Sequence, residues 1–223
     1  MTTSSGSSPI STSRTKRSAA SSPEAAAAAS PARAAAPAPE AAAPAQAVVA
    51  NPLILGVDPG SRFTGYGFVR REGNQIRYEH SGVIATRATL SFPDRLLTIH
   101  TELALLIETW RPDEVAVEMA FVRKSAHSAL QIGHVRGVVL LAARQSGAAL
   151  YEYTAPEVKM AVVRQGAASK EQVSFMVRRL LPQVGTLRED EADALAVALC
   201  HAQRAAARQW GMARGAVASG RKS

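Results

Sequence analysis

The run Leu53-Ile54-Leu55-Gly56-Val57 is apolar throughout and ends on a carboxylate, Asp58. Bounded by Pro59-Gly60, it reads as a buried strand, and an acid at the end of such a strand is costly unless it is paired or bound to a cation. The pattern recurs where Val115-Ala116-Val117 ends on Glu118. Asp190 and Asp193 open a third segment whose remaining pattern is almost entirely apolar. Three such placements imply a fold that gathers the charges. With no basic residue immediately beside them, the natural neutraliser is a hard divalent cation held by oxygen ligands.

The pattern around these acids defines the order of elements. After the strand at 53–58, Gly65 to Arg71 alternates, with Tyr66, Phe68 and Arg70 on one face and Gly67 and Val69 on the other. Gly73-Asn74 signals a hairpin before a strand from Ile76 to about Ala85, so the chain opens as a three-stranded antiparallel meander. Leu96, Ile99, Leu103, Ile107 and Trp110 mark one face of a helix from about Pro93 to Trp110. A strand at 115–118, a helix at about 125–145 and a short strand at 149–153 follow. Gly133 and Gly137, four apart in that second helix, either admit another backbone, such as that of a partner subunit, or weaken the helix locally. Thr154-Ala-Pro-Glu157 and Ser169-Lys-Glu-Gln172 are capping boxes for two further helices, and a last helix begins around Arg188. Strands first, then alternating helix and strand, give an α/β fold: a mixed sheet with helices on both faces.

Pro23, Pro31, Pro37, Pro39 and Pro44 interrupt the Ala tracts of the first fifty residues, which offer no large apolar core. Residues 1–51 are therefore expected to be disordered, 52–204 to form one domain, and 205–223 to be a flexible basic tail. The Ser/Arg-rich start is similar in composition to an organelle transit peptide, but a disordered extension or a start codon assigned too far upstream is the preferred reading. The formal charge of the 223-residue chain is +8. Residues 51–204 carry 18 basic and 16 acidic side chains, and four basic residues with no acid follow residue 204. Cation binding by the acids would leave the body clearly cationic, which suits a nucleic-acid partner without demanding one. The single cysteine, Cys200, excludes an internal disulfide and a thiolate zinc site, and its apolar helical stripe marks it as core. No stretch approaches a transmembrane length and the N-terminus lacks an apolar signal core, so no membrane association and a cytoplasmic location are expected.

Asp190 and Asp193 lie three apart and share one side of a helix's first turn, where the dipole favours anions. Glu189 and Glu191 read as first-turn acids that stabilise the helix. Asp58 before Pro-Gly is also a good turn former, and Gly60, Gly65 and Gly67 raise the alternative of a phosphate-cradling loop. Taken together, the four acids suit two Mg²⁺ ions about 4 Å apart, with Mn²⁺ as a substitute, promoting in-line attack of water on a phosphodiester. Lys159 and Lys170 precede the final acid pair and can meet phosphates as point charges, Lys170 being the stronger candidate. Phe121, Arg123 and Lys124 form an arm after Glu118 suited to base stacking and phosphate contact, although Phe121 folded into the core is an equal alternative.

The segments Ile54-Leu-Gly-Val-Asp-Pro-Gly-Ser-Arg-Phe-Thr-Gly-Tyr-Gly67, Val117-Glu-Met-Ala-Phe121 and Asp190-Glu-Ala-Asp-Ala-Leu-Ala196 resemble the RuvC family of crossover (Holliday) junction endonucleases. Ser128-Ala-Leu, Arg136-Gly-Val, Pro156-Glu-Val-Lys159 and Lys170-Glu-Gln-Val173 fit as well, so the resemblance covers about Leu53 to His201 in order. It implies a ribonuclease H-like fold, catalytic carboxylates at Asp58, Glu118, Asp190 and Asp193, a junction-contacting aromatic at Phe121 and important lysines at Lys159 and Lys170. It also implies a homodimer that nicks two opposed strands of a four-way junction during recombination and repair, in cooperation with the RuvA–RuvB branch-migration complex. Arg164-Gln165 departs from the more glycine-rich turn of relatives, which bears on loop contacts and leaves the carboxylates untouched.

Three other readings compete. An actin-like phosphotransferase would need a second nucleotide-binding lobe for which about 150 residues leave little room. A non-catalytic junction-binding module has no use for four acids that repel phosphates. A ribonuclease H-like nuclease acting on RNA or ordinary duplex would share the chemistry and differ in substrate.

Overall fold

The computed structural model describes residues 49–119 and 126–219, with side chains of the final helix described as far as Ala207. The elements run β1 (Leu53–Asp58), β2 (Phe63–Glu72), β3 (Gln75–Ala85), α1 (Phe92–Trp110), β4 (Glu114–Met119), α2 (Ala126–Gln145), β5 (Ala149–Thr154), α3 (Ala155–Val163), α4 (Lys170–Leu180) and α5 (Glu189–Ser219). The strands form one mixed sheet in the order β3-β2-β1-β4-β5. β1, β2 and β3 make the antiparallel meander, and β4 and β5 extend it in parallel from β1. The hairpin turns at Gly73, whose φ of 61° favours a residue without a Cβ. A bulge in β3 sets Phe68 opposite His80 and Val69 opposite Tyr78, leaving Glu79 as the extra residue. Glu79 accepts from Arg70 at 3.2 Å and Arg77 at 2.8 Å.

Alternation along the strands divides the core in two. Leu55, Val57, Phe68, Val115 and Val117 meet α1 and α2 through Ile99, Leu103, Ile107 and Val139. Ile54, Val69, Ala116 and Tyr153 face the other way, onto α3, α4 and α5. The Thr154 box is closed by Glu157 at 2.9 Å and the Ser169 box by Gln172 at 2.8 Å. α3 ends on Arg164 in the left-handed conformation, φ 63°, where a helix C-terminus usually places glycine. Cys200 is fully buried.

α5 lies on β1 and β2 closely because three glycines remove the side chains beneath it. A Cβ on Gly56 would sit 2.2 Å from the Ala194 carbonyl oxygen, one on Gly65 1.9 Å from that of Asp190, and one on Gly67 2.6 Å from the Leu195 side chain. Gly65 and Gly67 thus belong to a strand under a helix, which corrects the phosphate-loop alternative. The α5 backbone continues to Ser219, past the domain edge expected near Arg204, through the Ala-rich stretch that favours helix. No helix among the described residues is long and apolar enough to cross a membrane. The arm residues Phe121, Arg123 and Lys124, and residues 1–48, lie outside the described residues.

Candidate active site

The strand period of two carries Ile54, Gly56 and Asp58 to the α5 side of β1, and Glu114, Ala116 and Glu118 to the same side of β4. Val57 and Val117 are partners in the parallel ladder, so Asp58 and Glu118 leave adjacent strands one residue beyond a shared rung. Strands lie about 4.8 Å apart, which forces the two carboxylates together. α5 then brings Asp190 and Asp193 over that edge from its first turn.

The electrostatics follow from this crowding. Burial pushes the Asp58 carboxyl up to about 8, helped by the nearby charges of Glu118, Asp193 and Asp190. Burial also raises Glu118 to about 7, with Asp193 adding to the effect. Asp193 is raised chiefly by burial, against the pull of Lys170. The Lys170 Nζ lies 3.2 Å from Asp193 Oδ2 and also pairs with Glu189. Burial lowers the pKa of that ammonium, but Glu189 and Asp193 outweigh it and hold the group charged. Lys159 and Lys170 line a cleft of about 160 Å³ together with Glu118, Asp193, Val173 and Ala196.

The structure therefore brings Asp58, Glu118, Asp193, Lys159 and Lys170 to one place, with Asp190 beside them in the same helical turn. Glu191 reaches back to the Arg188 backbone N–H at 2.7 Å and caps the helix, as a first-turn acid should. Glu189 does more than expected, since it helps hold Lys170. Among the described residues no three His, Cys, Asp or Glu side chains already stand in a metal-ligating group. The donor set nevertheless fits a hard cation. It consists of carboxylate oxygens from three elements whose mutual repulsion and burial favour protonation, a penalty that a bound divalent ion would relieve.

One polar network escaped the sequence reading. His201 is fully buried on α5 and bridges the Tyr153 hydroxyl at 2.7 Å and Glu114 Oε2 at 2.8 Å. The available signal was spacing. Asp193, Val197 and His201 stand i, i+4, i+8 on one line of α5, spanning about 12 Å, and Glu118 to Glu114 spans about 13 Å of β4. Helix and strand thus match along their lengths, Asp193 meeting Glu118 at one end and His201 meeting Glu114 at the other.

Comparison with known proteins agrees with this architecture. The family model described as crossover junction endodeoxyribonuclease RuvC matches residues 54–201. RuvC of Acidiphilium cryptum is 50% identical over 153 residues, covering 69% of this chain and 92% of the relative. RuvC of Granulibacter bethesdensis is 49% identical over 175 residues, covering 78% and 96%. The structure of T. thermophilus RuvC in complex with Holliday junction substrate is 35% identical, with a TM-score of 0.65 over 70% of this chain and 95% of that one. The yeast mitochondrial Holliday junction resolvase shares the fold at 14% identity and a TM-score of 0.53. With a ribonuclease H-like sheet, acids converging at the ends of β1, β4 and α5, and identity of about half across nearly the whole length of its relatives, the chain belongs to the RuvC family of crossover junction endodeoxyribonucleases.

Proposed function

We propose that the domain spanning residues 52–204 nicks four-way DNA junctions, and that Asp58, Glu118, Asp190 and Asp193 hold Mg²⁺ at the cleft. The observation that carries this reading is the convergence of Asp58, Glu118 and Asp193 from three elements into one partly buried, mutually repelling cluster. When bound, the ions supply charge to activate water and to stabilise the leaving 3′ oxygen. The acids orient those ions from rigid strand ends and a helix start. Lys170, tethered by Asp193 and Glu189, presents a fixed positive charge where the scissile phosphate enters, and Lys159 meets a neighbouring phosphate. Phe121, Arg123 and Lys124 contact the unstacked bases and backbone of the branch point.

Symmetric resolution needs two sites, and α1 and α2 offer a surface for a second copy. Leu97 and Leu105 on α1 are 65% and 61% exposed, and Leu130 and Leu141 on α2 are 62% and 54% exposed. Leu130, Gly133, Gly137 and Leu141 share one face of α2, and among the described residues nothing beyond the helix's own backbone lies within 4 Å of a Cβ built on either glycine. Large apolar side chains beside open glycines suit close helix–helix packing across a twofold axis. The RuvA–RuvB complex is the partner expected to deliver the junction.

Synthetic four-way junctions and linear duplexes incubated with Mg²⁺ or EDTA test the function. Paired, symmetric, Mg²⁺-dependent nicks confined to the junction are expected. Equal cutting of linear duplex would sink the junction assignment, and nicking in EDTA would sink the metal mechanism.

A further inference from the structure

β2 and β4 flank β1 in the sheet, so arginines at the start of β2 border the acid cluster across β1 from Glu118 and its lysines. Phe63 begins β2 and lies in period with Gly65, so its ring stands on the α5 side of the sheet, next to the α5 start. The ring is 40% exposed. The Arg188 guanidinium lies 5.2 Å from its centroid and that of Arg62 lies 6.0 Å away. Among the described residues neither guanidinium makes an ion pair or a side-chain hydrogen bond, although Glu189, Asp190 and Glu191 follow Arg188 directly in the chain.

Two features show that these groups are held in place. The turn carrying Arg62 is pinned from both ends: Thr64 Oγ1 donates to the Gly60 carbonyl at 2.7 Å, Thr86 Oγ1 donates to that of Ser61 at 2.9 Å, and the Thr86 N–H donates to that of Arg62 at 3.0 Å. Arg188 is the residue before α5, its carbonyl accepting from the Ala192 N–H at 3.1 Å. A cation at a helix N-terminus opposes the macrodipole, so helix stability gives no reason for arginine there. An exposed aromatic that fixes two arginines lacking carboxylate partners, beside a site for an anionic polymer, has the chemistry of a phosphate clamp.

We propose that Arg62 and Arg188, positioned by the Phe63 ring, bind backbone phosphates of the cleaved strand on the side of the acid cluster opposite Lys170. This rests on the reading of the chain as a junction nuclease. The strand then crosses the acids between two cationic borders, lysines on the α3–α4 side and arginines on the β2–α5 side. Each border makes sequence-independent contacts, which position the strand without reading bases.

The test measures the salt dependence of junction binding in full-length protein carrying Asp58→Asn, which leaves the DNA uncut. Each phosphate contact contributes about 0.9 to the slope of log K against log salt. Arg62→Gln with Arg188→Gln is expected to lower the slope by roughly 1.8, and Phe63→Leu to weaken binding about two- to fivefold with the slope nearly retained. Thermal unfolding of each variant checks that the fold is intact; both arginines are exposed. An unchanged slope in the double variant overturns the clamp, and an unchanged affinity in Phe63→Leu overturns the positioning role of the ring. If the Asp58→Asn parent itself shows no preference for junctions over linear duplex, the junction reading falls, while the slope difference on either DNA still decides the clamp.

Discussion

β4 presents two glutamates to α5, and the helix answers them in opposite ways. At one end Glu114 meets His201, whose ring also hydrogen-bonds the Tyr153 hydroxyl and packs at a tilt against Tyr151 with ring centroids 4.3 Å apart. At the other end, about 13 Å along the strand, Glu118 meets Asp58 and Asp193 and is pushed up to about 7. The same pair of elements holds a satisfied polar network and an unsatisfied one. The contrast teaches where stability was given up: the His201 end fixes how α5 lies on the sheet, and the acid end uses that rigidity to hold like charges together, as the proposed cation site requires.

Asp58→Asn breaks the comparison most severely. Junction nicking in Mg²⁺ is expected to fall at least roughly 10³-fold, about 4 kcal/mol of transition-state stabilisation, while binding persists in a gel-shift assay. Lys170→Ala removes the ammonium that partly answers the acid end. Single-turnover cleavage should slow about 10- to 100-fold, with junction affinity changed less than the rate. His201→Leu alters the satisfied end instead. It removes one hydrogen bond each from Tyr153 and Glu114 and should cost about 1–3 kcal/mol in urea unfolding, with nicking by the folded fraction nearly unchanged. A variant at His201 that lost activity but not stability would show that the two ends are not separable in this way.

Much of this was legible from residue order. The buried strands announced themselves through Leu53–Val57 and Val115–Val117, and the capping boxes at Thr154 and Ser169 marked two helix starts within a residue. Asp58 and Glu118 stood out because a carboxylate ending an apolar run has a local physical cost. His201 did not, since a histidine within an apolar helix is equally a buried bridge or a bystander until its cross-element partners are known. The glycines illustrate the same limit: Gly65 and Gly67 raised only a phosphate loop in the sequence, and it is the register of β2 under α5 that shows them making room for a helix. The extension of α5 beyond Arg204 reflects local Ala propensity that the charge pattern of residues 205–223 had obscured.

The central claim is that the acid end destabilises the fold until a cation binds, and thermal unfolding against pH measures it directly. Asp58 is raised from 3.8 to about 8 and Glu118 from 4.5 to about 7, so between those values the native state holds protons that the unfolded chain releases. Stability in EDTA should therefore fall as pH rises from about 5 to 8, because the native state binds the extra protons. Asp58→Asn should flatten that fall and unfold at a higher temperature than wild type at pH 8 in EDTA. Mg²⁺ should raise the wild-type midpoint most at pH 8 and leave Asp58→Asn less affected. Equal midpoints for the two proteins at pH 8 in EDTA, with no shift on adding Mg²⁺, would contradict the account.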